Sequence, residues 1–126
     1  MNKITKNNLN EFMESYYYFH DSYIKDIKFE LEKDKIDILI DVFWSFEPIL
    51  NEDNSIETNR TKMKITFNGI KEYRDDDRFS DYIDEAIIKY IKMDNKEYMY
   101  FASDEMEPSF SVICDNMEYE EIKESW

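Results

Sequence analysis

The 126-residue chain has one glycine, one cysteine, one histidine and two prolines, and its 16 basic residues face 30 acidic ones. Each shortage excludes something. A single glycine leaves no material for glycine-rich phosphate loops, flexible linkers or a series of tight glycine turns. Cys114 has no second cysteine for an internal disulfide, and with His20 as the lone histidine the usual zinc ligand set is missing. No metal or cofactor is therefore expected. Strictly apolar runs stop at three residues, far short of the ~20 that span a bilayer, and Met1–Phe12 lacks the apolar centre of a signal peptide. A reducing cytoplasm is the expected compartment. The shortage of bases leaves a formal charge of −14. Such a field repels phosphate backbones and anionic lipid, so neither nucleic acid nor membrane is an expected partner, while basic proteins are attracted.

What is present suits a folded core. Hydrophobic residues make up 42% of the chain and aromatic ones 17%, including ten tyrosines. Tyrosine fits half-buried sheet faces, where one end of the ring is dry and the other wet. The length reads as one domain, residues 1–126, able to bury roughly two-thirds of the surface its unfolded chain exposes.

Residues 1–18 read as a helix, because Leu9, Phe12, Met13 and Tyr16 fall on one stripe at helical spacing. Asn8 with Glu11 matches a capping box, with Asn7 and Thr5 as alternative caps. Two alternating runs follow, Tyr23–Leu31 and Ile36–Phe46. Ile27, Phe29 and Leu31 share one face of the first, and Ile36, Ile38, Ile40, Val42, Trp44 and Phe46 one face of the second. A tight turn at Lys33-Asp34 would set Leu31 opposite Ile36, Phe29 opposite Ile38, Ile27 opposite Ile40 and Tyr23 opposite Trp44. The outer face in that register is unfavourable, with Asp26 opposite Asp41 and Glu30 opposite Asp37. Either an acidic surface is being held for a basic partner, or Lys62 and Lys64 of a third strand, Thr61–Gly69, offset the repulsion. The second reading is favoured, since charged sheet faces are usually solvated. In that third strand Met63, Ile65 and Phe67 face inward.

Glu47–Asn59 reads as a long surface loop and Asp75-Asp76-Asp77 as an exposed turn. The three adjacent aspartates lack the alternation and glycine of a calcium loop. Phe79–Met93 supports two readings. Phe79, Tyr82, Ile83, Ala86, Ile87, Tyr90 and Ile91 form a helical stripe capped by Ser80, yet Ile87, Ile88, Tyr90 and Ile91 are strand formers. Asp94-Asn95-Lys96 then reads as a hairpin turn, followed by a strand at Glu97–Ala102. The end is strand-like again, with Phe110, Val112 and Cys114 alternating and Met117, Tyr119 and Glu121 following after Asp115-Asn116, and Trp126 turned back onto the body. The fold class expected is α+β and mainly antiparallel β: an N-terminal helix packed on a strongly twisted sheet of about five to seven strands.

Charge is unevenly distributed. Residues 1–74 carry 14 acids and 11 bases, residues 75–126 carry 16 acids and 5 bases, so the negative field belongs to the second half. Asp75, Asp76, Asp77, Asp104, Glu105, Glu107, Glu118 and Glu120 are the candidate partner-binding residues, with exposed tyrosines as anchors. No catalytic residues are assigned. His20, Asp21 and Ser22 hold the residue types of a hydrolytic triad, but strand neighbours point to opposite faces. Cys114 lies in acidic surroundings that oppose a thiolate. Phe19, His20, Asp21 and Ser22 read instead as the corner where helix meets sheet, with His20 and Asp21 bonded to the backbone.

Phe19-His20-Asp21-Ser22-Tyr23-Ile24, followed by Ile27 and Phe29, resembles the opening of a group of small bacterial proteins, some of which are similar to immunity proteins of polymorphic toxin systems. Ile65-Thr66-Phe67-Asn68-Gly69-Ile70, Tyr98–Phe101 and Phe110–Met117 fit the later strands of that pattern, which spans about residues 19–120. The resemblance implies a single α+β or mainly-β binding domain without catalytic residues. It also favours a short helical turn near 79–84 and a strand near 86–92. The function expected is a non-enzymatic immunity (antitoxin-like) protein that neutralises a basic toxin by stoichiometric binding, since a cleaver of nucleic acid is basic. Two alternatives stand beside it: a self-associating scaffold subunit using its aromatic sheet face, and a carboxylate-based hydrolase. A tight group of carboxylates around one cleft would favour the last.

Overall fold

The computed structural model describes residues 2–43, 49–50, 52–57, 61–76 and 82–122, with backbone alone at 49–50 and 56–57. Its elements are β1 (Asn2–Ile4), α1 (Leu9–Ser15), β2 (Ser22–Glu30), β3 (Lys35–Val42), β4 (Ile49–Leu50), β5 (Ile56–Glu57), β6 (Thr61–Asp75), β7 (Tyr82–Ile83), β8 (Ile87–Met93), β9 (Lys96–Ala102) and β10 (Phe110–Ile122). Seven strands form one antiparallel sheet in the order β7-β2-β3-β6-β10-β9-β8, and β1 pairs with the later half of β10. β4 and β5 make a separate two-stranded ladder inside the stretch expected to be a plain loop.

The ends of that order impose the overall shape. β7 and β8 lie at opposite edges, six inter-strand steps apart, or about 29 Å in a flat sheet. Only Asp84, Glu85 and Ala86 join them along the chain, a link that reaches roughly 14 Å at most. The sheet is accordingly curled into a half-barrel. On the inner face of β3, Ile36, Ile38, Ile40 and Val42 are fully buried, and Met63, Ile65 and Phe67 of β6 are buried beside them. The alternation expected for both strands is therefore observed. Phe67, Phe101 and Phe110 pack as a ring cluster with centroids 5.3–6.1 Å apart. Phe12, Met13, Tyr16 and Phe19 complete the same core from the helix side.

Five expectations need correction. The N-terminal helix is confined to Leu9–Ser15, because Asn2–Ile4 is taken up by pairing with β10. Its capping box does not form: the Asn8 side chain accepts from the Thr5 N–H and donates to the Lys3 carbonyl, stabilising the turn before the helix.

The β2–β3 hairpin is shifted by two residues, with Phe29 opposite Ile36 and Ile27 opposite Ile38. Leu31–Lys33 forms a 3-10 turn ended by Asp34 in the left-handed region (φ 55°), which uses more chain than a two-residue turn. A bulge between Ile24 and Asp26 then moves the register by one. Ile24 turns inward, while Tyr23 turns outward opposite Asp41 and is 43% exposed. Trp44 lies outside the described residues. The like-charge pairs vanish with this shift: Lys28 opposes Asp37, Glu30 opposes Lys35 and Asp26 opposes Leu39.

The outer face of β6 is less solvated than expected, since Lys62 and Thr66 are buried. Lys62 stands opposite Asp41, and Thr66 donates to Asp37 at 2.7 Å.

Finally, of the helical turn near 79–84, residues 79–81 lie outside the described residues and Tyr82-Ile83 is a strand. The strand near 86–92 is observed as β8, and Asp94-Asn95, both at positive φ, close its hairpin with β9. Trp126 also lies outside the described residues. Among the described residues no helix is long and apolar enough to cross a membrane.

Candidate functional site

The link that closes the curl also walls a groove. Asp84, Glu85, Ala86 and the start of β8 form one side, Leu9, Asn10 and Met13 of α1 with Tyr18 another, and Asp104, Glu105 and Met106 of the β9–β10 connection the third. The groove holds about 490 Å³. Leu9, Met13, Ala86, Ile87 and Ile88 give it apolar lining, four carboxylates surround that lining, and none of the described lining residues is basic. Two apolar groups are displayed to solvent at its edge, Met106 at 84% and Tyr18 at 41% exposure.

Local backbone strain places Tyr18. Tyr17, Tyr18 and Phe19 follow one another at φ 53°, 56° and 57°, and Asp21 sits at 61°. L-residues in that region cost about 1–2 kcal/mol each. The turn is retained because Phe19 is fully buried, its N–H donates to the Tyr16 carbonyl at 2.9 Å, and the His20 N–H donates to Tyr17 at 3.0 Å. The Tyr18 carbonyl accepts from Ala86 N–H at 2.9 Å, which fastens the strained corner to the β7–β8 link.

His20 makes the second fastening. Its Nδ1 lies 2.5 Å from the Asp84 carbonyl, so Nδ1–H is the donor, and Nε2 lies 3.5 Å from Asp21 Oδ2. Asp21 Oδ1 accepts a short hydrogen bond from the Tyr82 hydroxyl. That bond, with desolvation and the nearby Asp21 charge behind it, pushes the Tyr82 phenol up to about 12. Ser22, fully buried, accepts from the Phe43 N–H at 3.1 Å. The His20 side chain thus bonds to backbone at the helix–sheet corner, while the Asp21 carboxylate is held by Tyr82. Donor atoms of His20, Asp21 and Asp84 lie within 4.8 Å of one another, and they are the described residues placed to share a cation.

The seven described candidate acids do not gather in the groove. Asp104 and Glu105 line the groove, and Glu107 is exposed on the same connection outside the lining. Asp75 ends β6 opposite Phe110 and is exposed. Asp76 is not part of an exposed turn: its side chain is only 10% exposed, 3.9 Å from Arg74, and its N–H donates to the Ser109 carbonyl. Asp77 lies outside the described residues. Glu118 and Glu120 stand on β10 opposite Lys3 and Lys64 respectively, so bases of the chain itself dilute their field. Asp84 and Glu85 were not among the candidates, because they fall in the segment whose helix and strand patterns compete. Their recruitment depends on the curl, which no local spacing encodes.

Cys114 is buried, and burial together with the adjacent Asp115 charge pushes its thiol up to about 12. Such a thiol is a core group at neutral pH. Compared with known proteins, the chain matches no family model, no curated protein and no solved structure.

Proposed function

We propose that this chain is a non-enzymatic acidic binding protein of the immunity (antitoxin-like) kind, which neutralises a basic toxin by direct stoichiometric binding in a reducing cytoplasm. The observation that carries the reading is the groove itself: Asp84, Glu85, Asp104 and Glu105 around an apolar lining that includes no described base. Concentrated negative potential beside exposed apolar anchors speeds encounter with a cationic surface and rejects acidic ones. The resemblance of Phe19–Ile24 to proteins akin to immunity proteins supports the same class. Affinity capture from the native host at low salt should retain a basic protein whose toxic activity disappears at one equivalent of this chain. A captured protein whose binding ignores both salt and charge reversal of the acids would count against the proposal, as would recovery of none.

A carboxylate-based hydrolase is the second reading, because the same four carboxylates surround one groove. Turnover of glycoside or phosphodiester substrates that is lost in Asp104→Asn would favour it.

A further inference from the structure

We infer that the groove accepts one short basic amphipathic segment of the partner protein, in which lysines or arginines flank a large apolar side chain. This inference rests on the binding-protein reading and specifies where and how the partner docks. Two features of the groove set the chemistry of the occupant. Four carboxylates without a described base demand cations. The apolar lining, with Met106 and Tyr18 displayed at its edge, demands an apolar anchor between them. A purely cationic chain leaves that lining wet, and a neutral one leaves the carboxylates unpaired. Methionine at the rim adapts its shape to the anchor, as methionine-rich binding surfaces do.

The neighbouring sheet edge argues for docking through side chains. β8 is the last strand of the sheet, and an extended segment could in principle pair with it. Its exposed Lys89 and Lys92 oppose a basic strand there, in the way lysines commonly protect sheet edges. The segment therefore enters the groove with its side chains and does not lengthen the sheet. The strained Tyr17–Phe19 turn and the two bonds to the β7–β8 link hold two walls in place before binding. Such preorganisation lowers the ordering cost on association.

The test uses the full chain and two synthetic probes of equal net charge: a lysine/arginine peptide with a central leucine-rich face, and an all-lysine peptide. Calorimetric or anisotropy titration at low salt should show tighter binding of the amphipathic probe. Glu85→Lys with Glu105→Lys should weaken it by about tenfold or more, in line with the loss of two charge contacts. Met106→Asp should weaken the amphipathic probe more than the all-lysine one. All three residues are exposed, and unchanged thermal melts would verify folding. Glu32→Lys with Glu72→Lys, two exposed positions outside the groove lining, makes the same change in net charge and should shift affinity no more than about twofold. Equal losses in the two double variants would overturn the groove as the docking site while leaving an acidic-surface binder standing. Wild-type protein that does not prefer the amphipathic probe, or binds neither, also overturns the inference; capture of the toxin then decides the broader reading separately.

Discussion

The Tyr16 hydroxyl donates to the Glu121 carboxylate, joining residues 105 positions apart. Tyr16 ends the helical stripe and Glu121 belongs to the last strand, so the bond fastens α1 to β10. The ring is also packed beside Phe12, stacked on Phe19 and set edge-on to Tyr119. Burial, followed by the hydrogen bond to Glu121, raises the phenol's pKa well above the ordinary tyrosine value.

Tyr16→Phe keeps the packing and removes the bond. Water re-solvates the exposed Glu121, so the expected loss is about 0.5–1.5 kcal/mol. Chemical denaturation should show it as a lower midpoint at unchanged slope. A midpoint equal to wild type would mean that the bond contributes nothing.

His20→Ala removes the Nδ1 bond to the Asp84 carbonyl and leaves the Ala86–Tyr18 bond in place on the link. A loss of about 1 kcal/mol is expected from one hydrogen bond. Amide exchange should quicken first at Ala86 and Ile87. Unchanged protection there would show that the link is held without the imidazole.

Gly69 is the one glycine, at φ +70°, with its backbone against Asp115. A Cβ at this position would meet Asp115 Cγ at 2.7 Å and Cβ at 2.8 Å. Gly69→Ala should cost about 1–3 kcal/mol from the left-handed backbone and the clash together. Adding Asp115→Gly should recover only the steric part. Full recovery would place the whole cost in the contact and none in the dihedral.

The raised phenol of Tyr82 fixes the sign of an alkaline dependence. Unfolded tyrosine ionises near pH 10, while in the folded chain Tyr82 keeps its proton to about 12. Its contribution is complete below pH 10 and is lost as pH rises from there through 12. Urea midpoints measured between pH 9 and 11 should fall more steeply for wild type than for Tyr82→Phe. Parallel curves would contradict the Asp21–Tyr82 bond.

The strands were legible where one residue's neighbours decide its face. Period-two alternation marked Ile36, Ile38, Ile40 and Val42, with Met63, Ile65 and Phe67, as inward-facing, and each of these is buried. The helical stripe from Leu9 to Tyr16 was legible for the same local reason. Register was not, because it depends on the Leu31–Asp34 turn and on the bulge at Lys25, neither of which alters the apolar pattern enough to be seen. Of the groove, Asp104 and Glu105 were marked by charge alone. Asp84 and Glu85 were hidden in a stretch where helix and strand periods overlap, and the exposure of Met106 has no signature in the surrounding residues.

The sequence alone determined the α+β class, the inward residues of its central strands and the strong excess of acid, since composition and short-range periodicity carry all three. Tertiary structure decided which acids lie together. Seven strands whose edge members are joined by Asp84–Ala86 must curl, and that closure brings the link to α1 and to the β9–β10 connection. Local patterns specify faces, and long-range closure specifies neighbours; the acidic groove exists only through the second.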